Sequence, residues 1–407
     1  MAVTIGVPRE RTPGETRVAL VPSVARRYLE RGAKVVLEAR AGQLSHFRDV
    51  DYEGVEVVDD PVAVFAADVV LVVNPPTPEQ VGLLRPGAVV VGLLRPHEAL
   101  ATVAALRDRG VTSFALELLP RISRAQAMDA LTSQGSLAGY KAVLMAACLA
   151  GRYFPMLTTP AGTLPPARVV VLGVGVAGLQ AIATARRLGA VVEAHDVRAA
   201  TREQVQSLGA RFIETGIDAE AEGGYARELS PEERERARAA VEERLVAADV
   251  VITTAAVPGR PAPRLVSAEA VRRMKSGAVI IDLAAASGGN CELTRPGEQY
   301  ETENGVFIYG PLNVPAMLPV HASDQYAHNL FHFLAPHLRD GELRLDWEDE
   351  VVTASLLTRD GAVVPAAVAE RVAAWEPGRR GHGDGAPPGG GDGAGAGAAA
   401  PGGGGGT

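Results

Sequence analysis

Two doubly wound, Rossmann-like α/β domains with a cleft between them and a disordered Gly-rich tail are the architecture this chain predicts. Three observations predict it. Short apolar runs such as Val69–Val73 and Ala88–Leu94 suit strands buried on both faces of a parallel sheet. Helical stretches alternate with these runs at the spacing of βαβ units. The last 31 residues, from Pro377, hold 15 of the 45 glycines and too little apolar surface to order themselves.

Taken in order, Val3–Val7 reads as a strand, and Ser23 as the N-cap of a helix that runs through Arg31 and ends at Gly32. Lys34–Glu38, Val69–Val73 and Ala88–Leu94 continue the first sheet. Ser136–Ala150 reads as a long helix joining the two units, with Ala138, Ala142, Met145 and Leu149 near one face. After Pro165 and Pro166 a second set of strands follows: Val169–Leu172, Val191–His195, Val250–Thr254 and Ala278–Leu283. Helices are expected between them at Leu179–Leu188 and at the charged run Pro231–Ala247. Asp324–Leu338 reads as a further helix, and Glu342–Val364 as strand and turn that return to the first domain. The expected division is a first, discontinuous domain from 1–135 plus 320–376, a nucleotide-binding domain from 136–319, and a tail from 377–407. The tail is expected to be a disordered tether or an idle extension.

Composition narrows the class. With 40 Lys+Arg against 48 Asp+Glu the net charge is −8, which excludes a strongly basic nucleic-acid footprint. Two cysteines without CxxC spacing, Cys148 and Cys291, predict a reducing compartment and no zinc ribbon. The first residues carry charge where a signal peptide would be apolar. No apolar run approaches the ~20 residues needed to span a bilayer. A soluble, cytoplasmic chain is expected. His328, His332 and His337 lack a carboxylate that would complete a ligand set, so no metal site is expected. The Glu/Arg run over Glu232–Arg244 suits a solvated helix held by i,i+4 pairs, or a dimer contact.

The strongest chemical motif is RVVVLGVGVAGLQAIATARRLGAVVEAHDVR. Gly173, Gly175 and Gly178 form GxGxxG between a strand and a helix, the arrangement that lets backbone N–H groups meet a pyrophosphate. Asp196 stands 18 residues past Gly178, at the end of the next strand, where a carboxylate binds an adenosine ribose and repels a 2′-phosphate. NAD(H) is therefore expected over NADP(H), although Arg198 is a residue type that could accept that phosphate. The nucleotide-binding set is Gly173, Val174, Gly175, Val176, Ala177, Gly178, Asp196, Val197 and Arg198. Small residues at Ala255 and Ala256, past the strand ending at Thr254, leave room for a nucleotide ring or simply fit a turn.

Between apolar regions, PRISRAQAMDALTSQ gathers Arg121, Arg124, Gln126, Asp129 and Thr132 within twelve residues. A solvated loop before a helix fits this composition. So does a loop from the first domain reaching over the cleft, where a guanidinium, an amide and a carboxylate fix a carboxamide and ring.

These segments, with GVPRE, RVALVP, GGYARELS, TTAAVPG and DLAAASGGNCE, resemble the alanine dehydrogenase and transhydrogenase family from about Thr4 to Asp360. Within it they are similar to the NAD(H)-binding alpha components of proton-translocating NAD(P) transhydrogenases. The resemblance implies direct hydride transfer between NAD(H) bound here and NADP(H) on a partner component. It further implies proton movement through membrane-spanning partners, a homodimer, and a peripheral position on the cytoplasmic face of the membrane. Arg121, Gln126 and Asp129 would be the groups at the reacting ring, and Arg124 and Thr132 nucleotide contacts. Thr132 stands where the family usually has serine, with the hydroxyl kept. Gly224 and Tyr225 would lie on a loop closing over the nucleotide. Alanine dehydrogenases resemble the chain at Arg17, which in them would hold the substrate carboxylate. Their lysine, histidine and aspartate are matched here by Asn74, Arg95 and Ala286, none of which supplies the acid–base chemistry of reductive amination. An amino-acid dehydrogenase and a non-catalytic NAD(H) sensor are the alternatives.

Overall fold

A computed structural model describes residues 2–216, 230–256 and 259–379. The apolar runs are strands in two sheets, and the helices lie between them in sequence. The first unit runs β1 (Thr4–Val7), α1 (Pro22–Glu30), β2 (Lys34–Glu38), β3 (Glu56–Val58), α2 (Pro61–Phe65) and β4 (Val69–Val72). It continues through α3 (Pro78–Leu83), β5 (Val89–Gly92), α4 (Leu100–Asp108) and β6 (Thr112–Ala115) into the long α5 (Ala130–Leu149). A small hairpin, β7 (Leu157–Thr159) and β8 (Gly162–Leu164), precedes β9 (Arg168–Leu172), α6 (Val176–Arg187), β10 (Val191–His195), α7 (Thr201–Ser207) and β11 (Arg211–Phe212). Next come α8 (Pro231–Ala247), β12 (Val250–Thr253), α9 (Ala268–Arg273), β13 (Val279–Asp282), β14 (Gln299–Glu301) and β15 (Phe307–Tyr309). The chain closes with α10 (Pro319–Leu334), β16 (Leu338–Arg339), β17 (Glu342–Leu343), α11 (Glu350–Ser355), β18 (Leu356–Arg359), β19 (Ala362–Val363) and α12 (Ala366–Arg379).

The eight-stranded first sheet has the order β19-β18-β6-β5-β4-β1-β2-β3, and the seven-stranded second sheet β11-β10-β9-β12-β13-β15-β14. Pairing is parallel except where β18, β19 and β14 join. Period-two alternation explains why the strands are apolar throughout. Val69 and Leu71 of β4 enter one core while Val70 and Val72 enter the core on the opposite face. Val169 and Val171 of β9 are likewise separated from Val170 and Leu172. Each face is covered, so neither set of side chains is left in water.

Several boundaries differ from the sequence expectation. Helix α1 starts at Pro22 with Val21 at its N-cap, so Ser23 is inside the helix. Proline suits the first turn because its missing N–H would have no intrahelical partner there. The joining helix starts at Ala130, not Ser136, because the Asp129 side chain accepts the Thr132 N–H and caps it; such a cap contributes about 1 kcal/mol. Its buried face is Gly139, Ala142, Val143 and Ala146. Helix α6 starts at Val176, so Gly178 lies in its first turn. The stretch expected to be only strand and turn contains α11, capped by Asp349 and anchored by buried Val351 and Val352. Helix α12 runs past Pro377 to Arg379, with Val368 and Val372 buried in the core beneath α4. Residues 380–407 lie outside the described residues, as do Gly224 and Tyr225.

Among the described residues, no helix is long and apolar enough to cross a membrane. None of their His, Cys, Asp and Glu side chains gather into a group of three that could hold a metal. His328 contacts Arg27, with Nδ1 and Nη1 3.1 Å apart, and its Nε2 lies 3.9 Å from Asp324, a carboxylate at helical spacing that the sequence expectation left out.

Candidate functional site

The strand order of the second sheet reverses between β9 and β12, since β10 and β11 lie to one side and β12 and β13 to the other. In open α/β sheets ligands sit at that point, beyond the carboxyl ends of the strands. Both ends are shaped here by glycine and by small or hydroxyl side chains. Gly173 has φ +90°, a backbone conformation that disfavours any side chain, and its carbonyl accepts the Thr254 hydroxyl at 2.9 Å. A Cβ on Gly178 would stand 2.0 Å from the Gly173 carbonyl oxygen, so α6 sits directly on the turn. Gly175 differs: its φ is −78°, and a Cβ there would meet no atom within 4 Å. The space beside Gly175 is open and adjoins the N-terminus of the 12-residue α6, which has no side-chain cap and no acid in its first turn. Exposed Gly175 and Val176 border it, with half-buried Ala177 and buried Val174 behind them. A pyrophosphate fits that cradle, because unpaired N–H groups and the positive helix end face it.

Asp196 follows β10 and takes four hydrogen bonds. Oδ2 accepts the Val174 N–H at 2.7 Å and Arg198 Nη2 at 2.9 Å, while Oδ1 accepts the Arg198 N–H at 2.9 Å and Arg198 Nε at 2.8 Å. Burial opposes ionisation, but the Arg198 side chain and the two backbone N–H groups outweigh it and hold the carboxyl below its ordinary value. A carboxylate accepts about four hydrogen bonds, so a ribose hydroxyl would have to displace one of these donors. Val197, between them, is half-buried.

Beyond β12, Ala255 is pinned by a residue outside both the glycine motif and the polar loop, and Ala256, the next residue, is exposed. Asn290, fully buried, accepts the Ala255 N–H at 3.1 Å and donates to the Ala255 and Pro263 carbonyls, both at 2.8 Å. Buried Asp282 ties Thr253, Cys291 and Thr294 together behind it. Both belong to the DLAAASGGNCE segment, in which an Asp and an Asn among small residues stand out by type, while their burial and their partners come only from the fold.

Helix α5 brings the polar loop to the same end of the second sheet. A Cβ on Gly139 would stand 2.0 Å from the Ala177 carbonyl oxygen, and one on Gly135 would stand 3.9 Å from Val176. The two helices therefore touch backbone to backbone, and Thr132 lies about one helical turn before Gly135. Both Asp129 oxygens are engaged by Thr132, by its N–H at 2.9 Å and its hydroxyl at 2.6 Å. Arg121 and Gln126 are exposed. Arg124 forms a two-pronged pair with Asp349, both bonds 2.6 Å, and this pair, chiefly its hydrogen bonds, holds the Asp349 carboxyl down at about 2. The structure thus anchors Arg124 to the cap of α11, and a nucleotide contact by Arg124 would require that pair to open.

A second polar cluster occupies the corresponding reversal point of the first sheet, between β1 and β4. Arg17, 5% exposed, donates to Glu15 at 2.8 and 2.7 Å, to Gln134 of α5 at 3.0 Å and to Asn313 at 3.2 Å. Asn74 donates to Glu10 at 3.1 Å and Glu15 at 2.9 Å and accepts from Arg95 at 3.2 Å. Ala286 is exposed in a short turn past β13. The carboxylates are driven apart: burial raises Glu15 too, but hydrogen bonds and charge from Arg17 outweigh it and bring it to about 2. Burial dominates at Glu10 and pushes it up to about 7 against the N–H groups of Val73 and Asn74. Between pH 4.5 and 7 the folded chain therefore binds more protons at Glu10 than the unfolded chain, and this group makes stability fall as pH rises through that window. Glu10→Gln should remove this decline, read as the difference between wild-type and variant melting temperatures from pH 4.5 to 8. Parallel curves would show that Glu10 does not titrate there.

Residues 6–138 match the family description alanine dehydrogenase/PNT, N-terminal domain, and residues 142–366 its C-terminal domain. The chain is 48% identical over 374 residues to an NAD(P) transhydrogenase alpha-subunit chain of Rhodospirillum rubrum, covering 88% of this chain and 97% of the relative. It is 28% identical over 376 residues to alanine dehydrogenase of Bacillus subtilis, covering 90% of this chain and 93% of that one. Among solved structures it superposes on the transhydrogenase from Sinorhizobium meliloti with a TM-score of 0.81 at 45% identity, covering 89% of this chain and all of the other. With both halves matched and the open glycine cradle in place, the chain belongs to the alanine dehydrogenase/PNT family.

Proposed function

We propose that this chain is the NAD(H)-binding alpha component of a proton-translocating NAD(P) transhydrogenase. The observation that supports the reading is the seating of α5 on α6, with Gly139 against the Ala177 carbonyl, Gly135 near Val176 and Thr132 about one helical turn before Gly135. The Rhodospirillum rubrum relative, named as a transhydrogenase alpha subunit, supports it. Bound NADH supplies a hydride that passes to NADP+ on a partner component, leaving NAD+ and NADPH. Arg121, Gln126 and Asp129 orient the reacting ring without taking part in proton transfer; the protein's contribution is geometry. Gly173 to Gly178 take the pyrophosphate, and Asp196 and Val197 the ribose once Arg198 yields a bond. Arg124, Thr132, Ala255 and Ala256 line the nucleotide, and Gly224 and Tyr225 close over it. The NADP(H)-binding component and the membrane-spanning proton path belong to partner chains, with this chain a homodimer on the cytoplasmic face. On this proposal the working units are 1–135 with 320–376 and 136–319.

The first-sheet cluster speaks against the amino-acid dehydrogenase alternative. The Arg17 guanidinium is already filled by Glu15, Gln134 and Asn313, and Asn74 and Arg95 supply no general base. Calorimetry should find NADH bound more tightly than NADPH, because Asp196 would meet a 2′-phosphate as a like charge. Mixed with an NADP(H)-binding transhydrogenase component, the full chain should exchange hydride between the two nucleotide pools. Alone it should show no alanine- or pyruvate-dependent turnover. A preference for NADPH would sink the role of Asp196, and oxidative deamination of alanine would sink the transhydrogenase reading.

A further inference from the structure

We propose that Asn329 is a positioning residue that sets the Gln126–Thr132 loop against the nucleotide site, acting through Ala127 and Ser133. The proposal rests on the functional reading above. Asn329 lies on α10, 7% exposed, among buried residues of that helix that include Tyr326, Leu330 and Phe333. A buried amide in such surroundings costs free energy unless both of its ends are bonded. Both are. Its Nδ2 donates to the Ala127 carbonyl at 2.9 Å, and its Oδ1 accepts the Ser133 hydroxyl at 2.7 Å. Ala127 directly follows Gln126, and Ser133 directly follows Thr132 in the first turn of α5. One amide therefore bridges the two ends of the stretch that carries Gln126, Asp129 and Thr132.

The bridge has a second support. Gln134, the next residue on α5, donates to the Ala322 carbonyl of α10 at 3.1 Å and accepts from Arg17 at 3.0 Å. Buried Met128 and Ala125 hold the loop's apolar side in the first core. Gln126 is exposed, and Asp129 and Thr132 bond to each other across the cap. Three of the buried hydrogen bonds that hold this stretch and the next residues of α5, two to Asn329 and one to the Ala322 carbonyl, thus come from α10, a helix distant in sequence. An apolar residue at 329 could fill the space but would leave the Ala127 carbonyl and the Ser133 hydroxyl without this partner. The loop would then lose its register while the fold stayed intact.

The test uses the full chain, alone and reconstituted with an NADP(H)-binding transhydrogenase component. Asn329→Ala removes both bonds. Asn329→Asp keeps the acceptor for Ser133 but turns a second oxygen toward the Ala127 carbonyl. Both should slow single-turnover hydride transfer by about 10- to 100-fold, the scale of a misplacement near 1 Å, while NADH affinity changes by less than about threefold. Ser133→Ala should slow transfer in the same way, and Ser133→Thr, which keeps the hydroxyl, should restore most of the rate. Hydrogen exchange on the nucleotide-free chain should accelerate over residues 121–132 in Asn329→Ala and stay unchanged in the second sheet. Wild-type rates in both Asn329 variants would overturn the proposal. So would rate and affinity falling together with exchange rising throughout, which marks a merely structural role; the Ser133 pair decides should Asn329→Ala fail to fold. If the wild-type chain itself neither binds NADH nor exchanges hydride, the functional reading fails, and the exchange measurement still decides whether Asn329 clamps the loop.

Discussion

Gly175→Val is expected to abolish NAD(H) binding while leaving the fold and its thermal stability essentially unchanged. The two effects separate because of where Gly175 sits. Its φ of −78° is open to any L-residue, and nothing stands within 4 Å of the position a Cβ would take. Valine therefore meets no protein atom at that first position and needs no backbone strain. The branched side chain instead fills the space beside the α6 N-terminus and keeps a pyrophosphate from reaching the N–H groups. A loss of at least 100-fold in NADH affinity is expected, about 2.7 kcal/mol. Gly178→Val, by contrast, would drive side-chain atoms into the Gly173 carbonyl, 2.0 Å away, and damage the turn itself. Titration calorimetry and a melting curve on each variant check the pair. Intact NADH binding in Gly175→Val would mean that the cradle is not the nucleotide site.

Arg17→Ala should be the most destabilising single change in the first-sheet cluster. Glu15 and Arg17 are both buried, joined by two bonds at 2.8 and 2.7 Å. Removing the cation leaves a buried carboxylate with only neutral donors, the side-chain amides of Asn74 and Asn313 and the backbone N–H groups of Thr16 and of position 17, and Gln134 loses its donor. A broken buried pair costs about 3–5 kcal/mol, far more than the 0–1 kcal/mol of an exposed pair. Because Glu15 is held at about 2 against an ordinary 4.5, its contribution is fully present above pH 4.5 and is lost as pH falls from there through 2. The variant's deficit relative to wild type should therefore shrink in acid. Glu15→Leu combined with Arg17→Met, which removes both charges, should recover most of the loss. Urea unfolding at pH 7 and pH 3 measures these differences. A deficit below about 1 kcal/mol at pH 7 would show that water reaches the pair and that it contributes little.

The strands were legible from the chain alone because burial on both faces leaves a local mark. In β4, in β5 and in β9 from Val169 onward, residues are buried whichever face they point to, so the apolar run is continuous. The glycine motif was legible for a related reason: the close approach at Gly173 and Gly178 and the open face at Gly175 are demands made within one turn. Helix starts were less legible. Ser23 is a better cap by type than Val21, yet Pro22 in the first turn set the start of α1. Gly178 suggested a helix beginning after it, but packing of α6 on the Gly173 carbonyl outweighed the helix penalty of glycine. Helix α11, only six residues long, is too short to show a period.

The site divides along the same line. Gly173, Gly175, Gly178 and Asp196 announce themselves by spacing along one βαβ unit. Nothing local announces that Asn290 pins Ala255, that Arg124 is paired with Asp349, or that Asn329 bridges Ala127 and Ser133, because the partners are 35, 225 and about 200 residues apart. From composition the polar loop reads as solvated or as functional, and only the fold shows that the helix following it is seated on α6. The local pattern determined strands, helices and the glycine turn, since hydrophobic period and backbone sterics act between near neighbours. Which polar groups are spent on holding the protein together, and which are left to face a ligand, was decided only by tertiary structure, because buried donors and acceptors are satisfied by whatever the fold brings beside them.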